Sequence, residues 1–148
     1  MAWGGSGWYG DTISDALGTT QLGIDLELDT AKLALYDNTI TPDFNAGNPA
    51  YSTTGEIVGT GYTAAGKLVT GTVLLASGGY IIWSGDNVQW TSSTLTGVRG
   101  GIILADYLSP AARRLIIGID WGTAYATADG TLLVSWHANG IGRFDYIP

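Results

Sequence analysis

Gly61-Tyr62-Thr63-Ala64-Ala65-Gly66-Lys67 has the spacing of a phosphate-binding loop and follows the apolar pair Ile57-Val58. In such a loop backbone amides cradle phosphate oxygens, lysine neutralises them, and a Ser or Thr opening a helix ligates magnesium. Here residue 68 is Leu, and Val69-Thr70-Gly71-Thr72-Val73 has a strand pattern. Two apolar runs ending in acid, Ile102–Asp106 and Leu115–Asp120, resemble a magnesium strand. Without the hydroxyl and the helix they have nothing to complete, so Lys67 is expected to be structural.

The other reactive types are as poorly placed. His137 is the single histidine, and Ser135 lies two residues away, but no Gly-x-Ser-x-Gly elbow presents a nucleophile beside an oxyanion turn. Asp25, Glu27 and Asp29 would project from one side of a strand, about 7 Å apart. Calcium takes roughly six to eight oxygen ligands, and no Asp-x-Asp-x-Asp-Gly loop supplies them. The same acids lack the apolar pocket that raises one carboxyl for glycoside hydrolysis. A solvated acidic face fits them better, and no catalytic residue, metal or cofactor is expected.

The elements carrying these residues are short and follow a period of two. With 23 glycines in 148 residues, against a usual share of about 7%, and 13% charged residues, the chain favours tight turns between strands. Its 45% hydrophobic residues and six tryptophans supply a core without disulfides, since it has no cysteine. Ile24, Leu26 and Leu28 alternate with Asp25, Glu27 and Asp29, and Leu33 and Leu35 continue the pattern. Further strands are expected over 56–58, 68–75, 80–83, 88–91, 98–107, 115–121, 132–136 and 141–147. Gly78-Gly79, Ser84-Gly85-Asp86, Ser92-Ser93, Ser109-Pro110, Asp129-Gly130 and Asn139-Gly140 separate them as turns. Residues 38–54 form a long loop by their Pro, Asn and Gly content. The fold class is therefore all-β, a single antiparallel β-sandwich, jelly-roll or immunoglobulin-like.

Ahead of it, Asp11–Gly18 predicts one short helix, with Asp11 or Thr12 as cap and Gly18 as terminator. Residues 1–22 are expected to be an N-terminal arm plus this helix, and 23–148 the sandwich. Trp83, Trp90, Trp121 and Trp136 fall in strand patterns and are assigned to the core. Trp3, Trp8 and Tyr9 sit on a glycine-rich backbone, which marks them as partner-binding anchors that order on docking. Folding back onto the protein's own sandwich is the alternative. Tyr51, Tyr62 and Tyr80 are candidates for a sugar platform, the basis of a carbohydrate-binding module as a reading of another class.

A net charge of −7 with scattered cations argues against nucleic acid as a partner. Met1-Ala2-Trp3-Gly4-Gly5 lacks a secretory pattern, and no apolar run nears the roughly 20 residues that span a bilayer. The expectation is a product made in the cytoplasm with no membrane partner.

Over about Asp25 to Phe144 the order of signals resembles a group of small tailed-bacteriophage virion structural proteins. The matching pieces are a short N-terminal helix, Asp25–Thr30 leading into Lys32–Tyr36, Glu56-Ile57 with Gly59-Thr60-Gly61-Tyr62-Thr63, and Val88-Gln89-Trp90. A turn at Ser92–Leu95, an apolar strand at Gly101–Leu104, Leu115 through Asp120-Trp121-Gly122, Trp136 and Asn139-Gly140-Ile141 complete the series. The Gly-Thr-Gly-Tyr-Thr run is its most specific piece. Ala65 stands where that group often has Gly, and the Gly/Trp-rich opening does not align. The resemblance implies a non-enzymatic capsid decoration or cement protein whose partner is the major capsid protein on the virion surface. It implies a homo-oligomer, a trimer being favoured, with a tail or fibre component as the alternative.

Overall fold

The apolar runs condense into strands that all pair antiparallel in the computed structural model, which describes residues 2–19, 22–27, 30–106 and 113–147. Among these residues lie β1 (Gly7–Trp8), α1 (Gly10–Leu17), β2 (Ala31–Tyr36), β3 (Lys67–Leu68), β4 (Val73–Ser77), β5 (Tyr80–Ser84), β6 (Val88–Ala105), β7 (Leu115–Val134) and β8 (Gly142–Asp145). One sheet has the order β1-β7-β6-β2-β3 and the other β4-β5-β8. The chain is all-β apart from the short helix, and the two sheets give it a sandwich-like fold.

Side-chain alternation along β2 shows why this strand is buried throughout. Leu33 and Leu35 join a core that includes Trp83 of the smaller sheet, with Trp90, Ile103 and Ile116. Ala34 and Tyr36 face the other way, into a second cluster with Trp3, Tyr9, Ile102, Leu104 and Leu115. That second face is roofed by Ile40, Phe44 and Tyr51 of the long loop. The loop is held by neighbours as well as by its own turns: Tyr51 N donates to Arg113 O, and Leu115 N to Pro49 O. The larger sheet is thus covered on both faces, which explains continuous burial at Gly100–Ala105 and Leu115–Gly118.

The N-terminal segment corrects the expectation of a separate arm. β1 pairs with β7, Gly7 opposite Gly118 and Trp8 opposite Ile117, so residues 7–8 are an edge of the main sheet. Trp3 is 5% exposed and Tyr9 2%. Trp3 Nε1 donates to Asp37 O at 2.8 Å. Trp8 stacks on Phe144 of β8 with ring centroids 4.2 Å apart and tilts against Trp83, so a residue of one sheet's edge grips the other sheet. Glycines make these contacts, since a Cβ at Gly100 would lie 2.9 Å from the Trp3 ring and one at Gly142 only 2.2 Å from Trp8. The division at residue 22 therefore does not describe how the chain packs. Met1 lies outside the described residues.

Several boundaries also differ from expectation. Residues 24–27 are loop and turn, with Glu27 N donating to Asp25 Oδ1 at 2.9 Å, while Leu28 and Asp29 lie outside the described residues. Glu56 makes a single bridge to Tyr36 where a strand was expected at 56–58. Expected strand 68–75 divides into β3 and β4. Conversely, Ser92-Ser93 and Asp129-Gly130 fall inside β6 and β7, where Ser92 and Asp129 take φ of 47° and the pairing register shifts. A bulge answers the same local chemistry as a turn when a partner strand continues past it. The 98–107 expectation ends at Ala105, with Tyr107 and the expected Ser109-Pro110 turn outside the described residues. α1 begins one residue earlier than expected, with Tyr9 rather than Asp11 or Thr12 at the N-cap, so it has no side-chain cap; Thr12 donates to Leu115 O and Asp11 is engaged by Arg114. Gly18 closes it with an ordinary φ of −91°.

The Trp8–Gly142 contact yields a double-mutant test. Gly142→Ala should cost about 1–3 kcal/mol by forcing the ring aside. Trp8→Ala should fall near the lower end of roughly 3–5 kcal/mol, as its ring is only half-buried. In the Trp8→Ala background the Gly142 substitution should cost much less, because only the flexible end of Ile117, 2.9 Å from the Cβ position, remains in its way. Urea denaturation of the four proteins checks this, and additive losses would contradict it.

Candidate functional site

The motif that begins at Glu56 builds a partly buried polar hub. Glu56 Oε1 accepts Tyr62 Oη at 2.6 Å and Ala65 N at 2.7 Å, while Tyr51 Oη donates to Oε2. Tyr62 Oη in turn accepts Leu35 N at 3.0 Å, which ties the loop to β2. Arg113 lies over the Tyr51 ring, 5.4 Å from its centroid. Gly66, at φ +72°, runs so close to β2 that a Cβ would lie 1.7 Å from Leu33 O. Burial and the hydrogen bond to Glu56 raise the Tyr62 hydroxyl far above its ordinary value, and the same causes push Tyr51 up to about 12. Burial and the Glu56 charge raise Tyr36 as well.

This hub decides the fate of several candidate residues. Lys67 sits in β3, its Nζ donating to Gln89 O at 2.8 Å, so the phosphate-loop spacing is occupied by a strand. Tyr51 and Tyr62 are tied to Glu56, and Arg143 covers the Tyr80 ring at 4.2 Å, so these three present no open sugar platform. His137 is exposed in a tight bridge with Gly140, its Nδ1 accepting Asn139 N, and no hydrogen bond joins it to the exposed Ser135 among the described residues. Of the expected core tryptophans, Trp83 and Trp90 are fully buried, whereas Trp121 and Trp136 are half-exposed. Trp83 Nε1 donates to Leu26 O and Trp136 Nε1 to Asp86 O, but Trp90 Nε1 finds no acceptor among the described residues. Trp121 meets Tyr125 edge to face at 76°, a geometry unlike a flat stacking surface.

Trp3, Trp8 and Tyr9, marked from sequence as partner anchors, come together inside the protein's own layers. The reason is chemical: rings that have glycine backbone to lie against need no second molecule to leave water. Unmarked Arg114 proves to be a fastener, 8% exposed, with Nη2 2.6 Å from both Asp15 Oδ2 and Asn48 Oδ1 and Nη1 3.1 Å from Asp11 Oδ2. It locks α1 and the long loop to the start of β7. The dipeptide Arg113-Arg114 stood out as the one cation pair in the sequence, yet nothing local revealed which carboxylates it would meet.

What remains on the outside is an apolar edge. Val73, Leu74 and Leu75 of β4 are 48%, 38% and 58% exposed, while Tyr146 and Ile147, bonded to Gly79 at the hairpin tip, are exposed on the other side of β5. Leu74 also lines a cleft of about 540 Å³ between α1 and the inner face of the smaller sheet. Its walls include Ile13, Leu17, Ile81 and Phe144, with Asp25 and Glu27 as its charged residues. Such a surface suits noncovalent apolar contact. No family model matches the chain, and no curated protein or solved structure matches it.

Two outcomes follow from the hub. Ala65, buried at φ +68°, holds a left-handed backbone that costs an L-residue roughly 1–2 kcal/mol. Ala65→Gly should therefore raise stability by up to about 1 kcal/mol after the methyl's lost burial, measured by thermal melting. The second concerns alkali. The raised tyrosines favour the neutral hydroxyl in the folded state, so their contribution is intact below pH about 10, the unfolded value, and is lost as pH rises through 12 and beyond. Urea midpoints should fall steeply over that range, and less steeply in Tyr62→Phe.

Proposed function

We propose that the protein is a structural component of a tailed-bacteriophage virion, a decoration subunit that binds the outer face of the major capsid shell and stabilises it. The observation that carries the reading is the use to which the resembling segments are put. Glu56 and Tyr62 form the hub, Gly59 passes against Thr94, and Asp120 pairs with Arg99 at 2.9 Å. These residues hold a rigid body together, leaving apolar edge and acidic skin for contact with other proteins. Decoration needs such a body, because added contact area across subunit junctions is what resists expansion, at roughly 25 cal/mol per Å² of apolar burial before association costs.

In this reading the chain has no catalytic role, and its copies associate on the particle, a trimer suiting local threefold positions. The charge of −7 discourages nonspecific clumping meanwhile.

The test is a reconstruction, with mass spectrometry, of purified virions from the phage that encodes the chain. Density fitting this sandwich on the outer capsid surface is the expected result. Density on the tail would reassign the subunit within the virion, and absence from purified particles would overturn the proposal.

A further inference from the structure

The two sheets end in edges that are managed in different ways, with one exception. β1 and β3 are two residues long. β8 carries Arg143 and Asp145, with Trp8 against its Gly142. The part of β7 beyond β1 is broken by register shifts against β6. Short length, charge, cover and bulges are the usual protections against strand pairing. β4 has none of these within it: Val73–Ser77 pairs with β5 at five consecutive positions without a shift and contains no charge or proline.

Its free side has a defined polarity. Gly78 and Gly79, at φ +62° and +93°, form a two-residue turn closed by Ser77 and Tyr80. In such a hairpin the closing pair is hydrogen-bonded and the pairs alternate, so Ser77, Leu75 and Val73 bond inward to β5 while Leu74 and Ala76 direct N–H and C=O outward. Leu74 N accordingly donates to Glu27 Oε1 at 3.2 Å, outside the sheet.

We propose that β4 is a pairing edge for a second copy of this chain, joined antiparallel about a two-fold axis at Leu75. That register sets Leu74 opposite the other copy's Ala76, and both residues already present their hydrogen-bonding groups outward, so each pair exchanges both N–H···O bonds. Leu75 meets its own counterpart on the outer face, with Val73 on the same face extending the apolar contact. The strip is self-complementary and uncharged, so the repulsion between two chains of −7 is not concentrated at the contact. Strand bonds and the Val73 and Leu75 side chains fall short of the roughly 1,200 Å² of a stable interface, so the pairing is a weak, reversible one. Glu27 acts as a guard, since its carboxylate must release the Leu74 amide before pairing. The inference rests on the homo-oligomeric part of the proposed function, with a two-fold pair in place of the trimer favoured there, and is independent of location on a virion.

The chain has no cysteine, so a single Leu75→Cys reports the contact directly. Opposed positions of a non-hydrogen-bonded pair have Cα atoms about 4.5 Å apart, within the roughly 4.4–6.8 Å that a disulfide spans. With diamide as oxidant, the full-length variant should form covalent dimer at least about tenfold faster than Val58→Cys, whose site is 92% exposed and outside β4. Adding Glu27→Ala should accelerate the Leu75→Cys reaction about fivefold, the worth of one exposed charge-assisted hydrogen bond. Equal rates for the two cysteine variants would overturn the pairing, even if the protein is found on virions. An unchanged rate on removing Glu27 would overturn the guard. Both cysteine sites are exposed, and matching thermal melts establish that the variants fold.

Discussion

Aromatic rings lying directly on bare backbone set the terms for everything else in this protein. Trp3 covers Gly100, Phe44 comes within 2.9 Å of where a Cβ on Gly118 would be, and Trp8 covers Gly142. Each ring brings an outer segment closer to a strand than any side chain would permit, and each glycine gives up side-chain packing of its own to allow it. The N-terminal strand and the long loop are thereby part of the core. One face of the larger sheet would otherwise be apolar and open to water.

Polar fasteners act on the same segments. The Glu56 hub fixes one end of the long loop against β2, and Arg114 fixes its middle together with α1. A carboxylate with three donors and a guanidinium with three acceptors are stable when buried only because every partner is present. The Arg114 cluster draws its groups from distant parts of the chain, Asp15 and Asp11 standing 99 and 103 positions before it, whereas the Glu56 hub is local. Their combined effect is a loop of ordinary turn composition held as firmly as a strand. A surface protein that must present a constant shape to its neighbours needs that firmness, which connects the hub to the proposed role.

The same economy of protection explains the surface. Where strands are bulged, short or charged, they stop pairing, and the sheet ends there. β4 remains regular and apolar beside the cleft, which leaves Val73, Leu74 and Leu75 together along one edge of an otherwise acidic molecule. Recognition through such an edge is a matter of backbone register and shape, with charge acting mainly to discourage other encounters.

Local chemistry settled what needs only local information. The period-two alternation marked β2 through Leu33 and Leu35, paired glycines marked the β4–β5 turn, and Asp11–Gly18 marked the helix. The missing hydroxyl at residue 68 and the strand pattern after it marked Lys67 as structural, and Lys67 lies in β3. Sequence could not tell a bulge from a turn at Ser92-Ser93 or Asp129-Gly130, because the difference lies in whether a partner strand continues alongside. Nor could it say that Trp3, Trp8 and Tyr9 would turn inward. Their flanking glycines suggested looseness, whereas the glycines that decide their place, Gly100 and Gly142, are about a hundred residues away or more. The exposed edge at Val73–Leu75 was likewise hidden, since an apolar run looks the same whether a neighbour covers it or not. Backbone periodicity and turn chemistry are written into adjacent residues; burial, bulging and edge exposure depend on which distant segment arrives, and only the tertiary structure decides that.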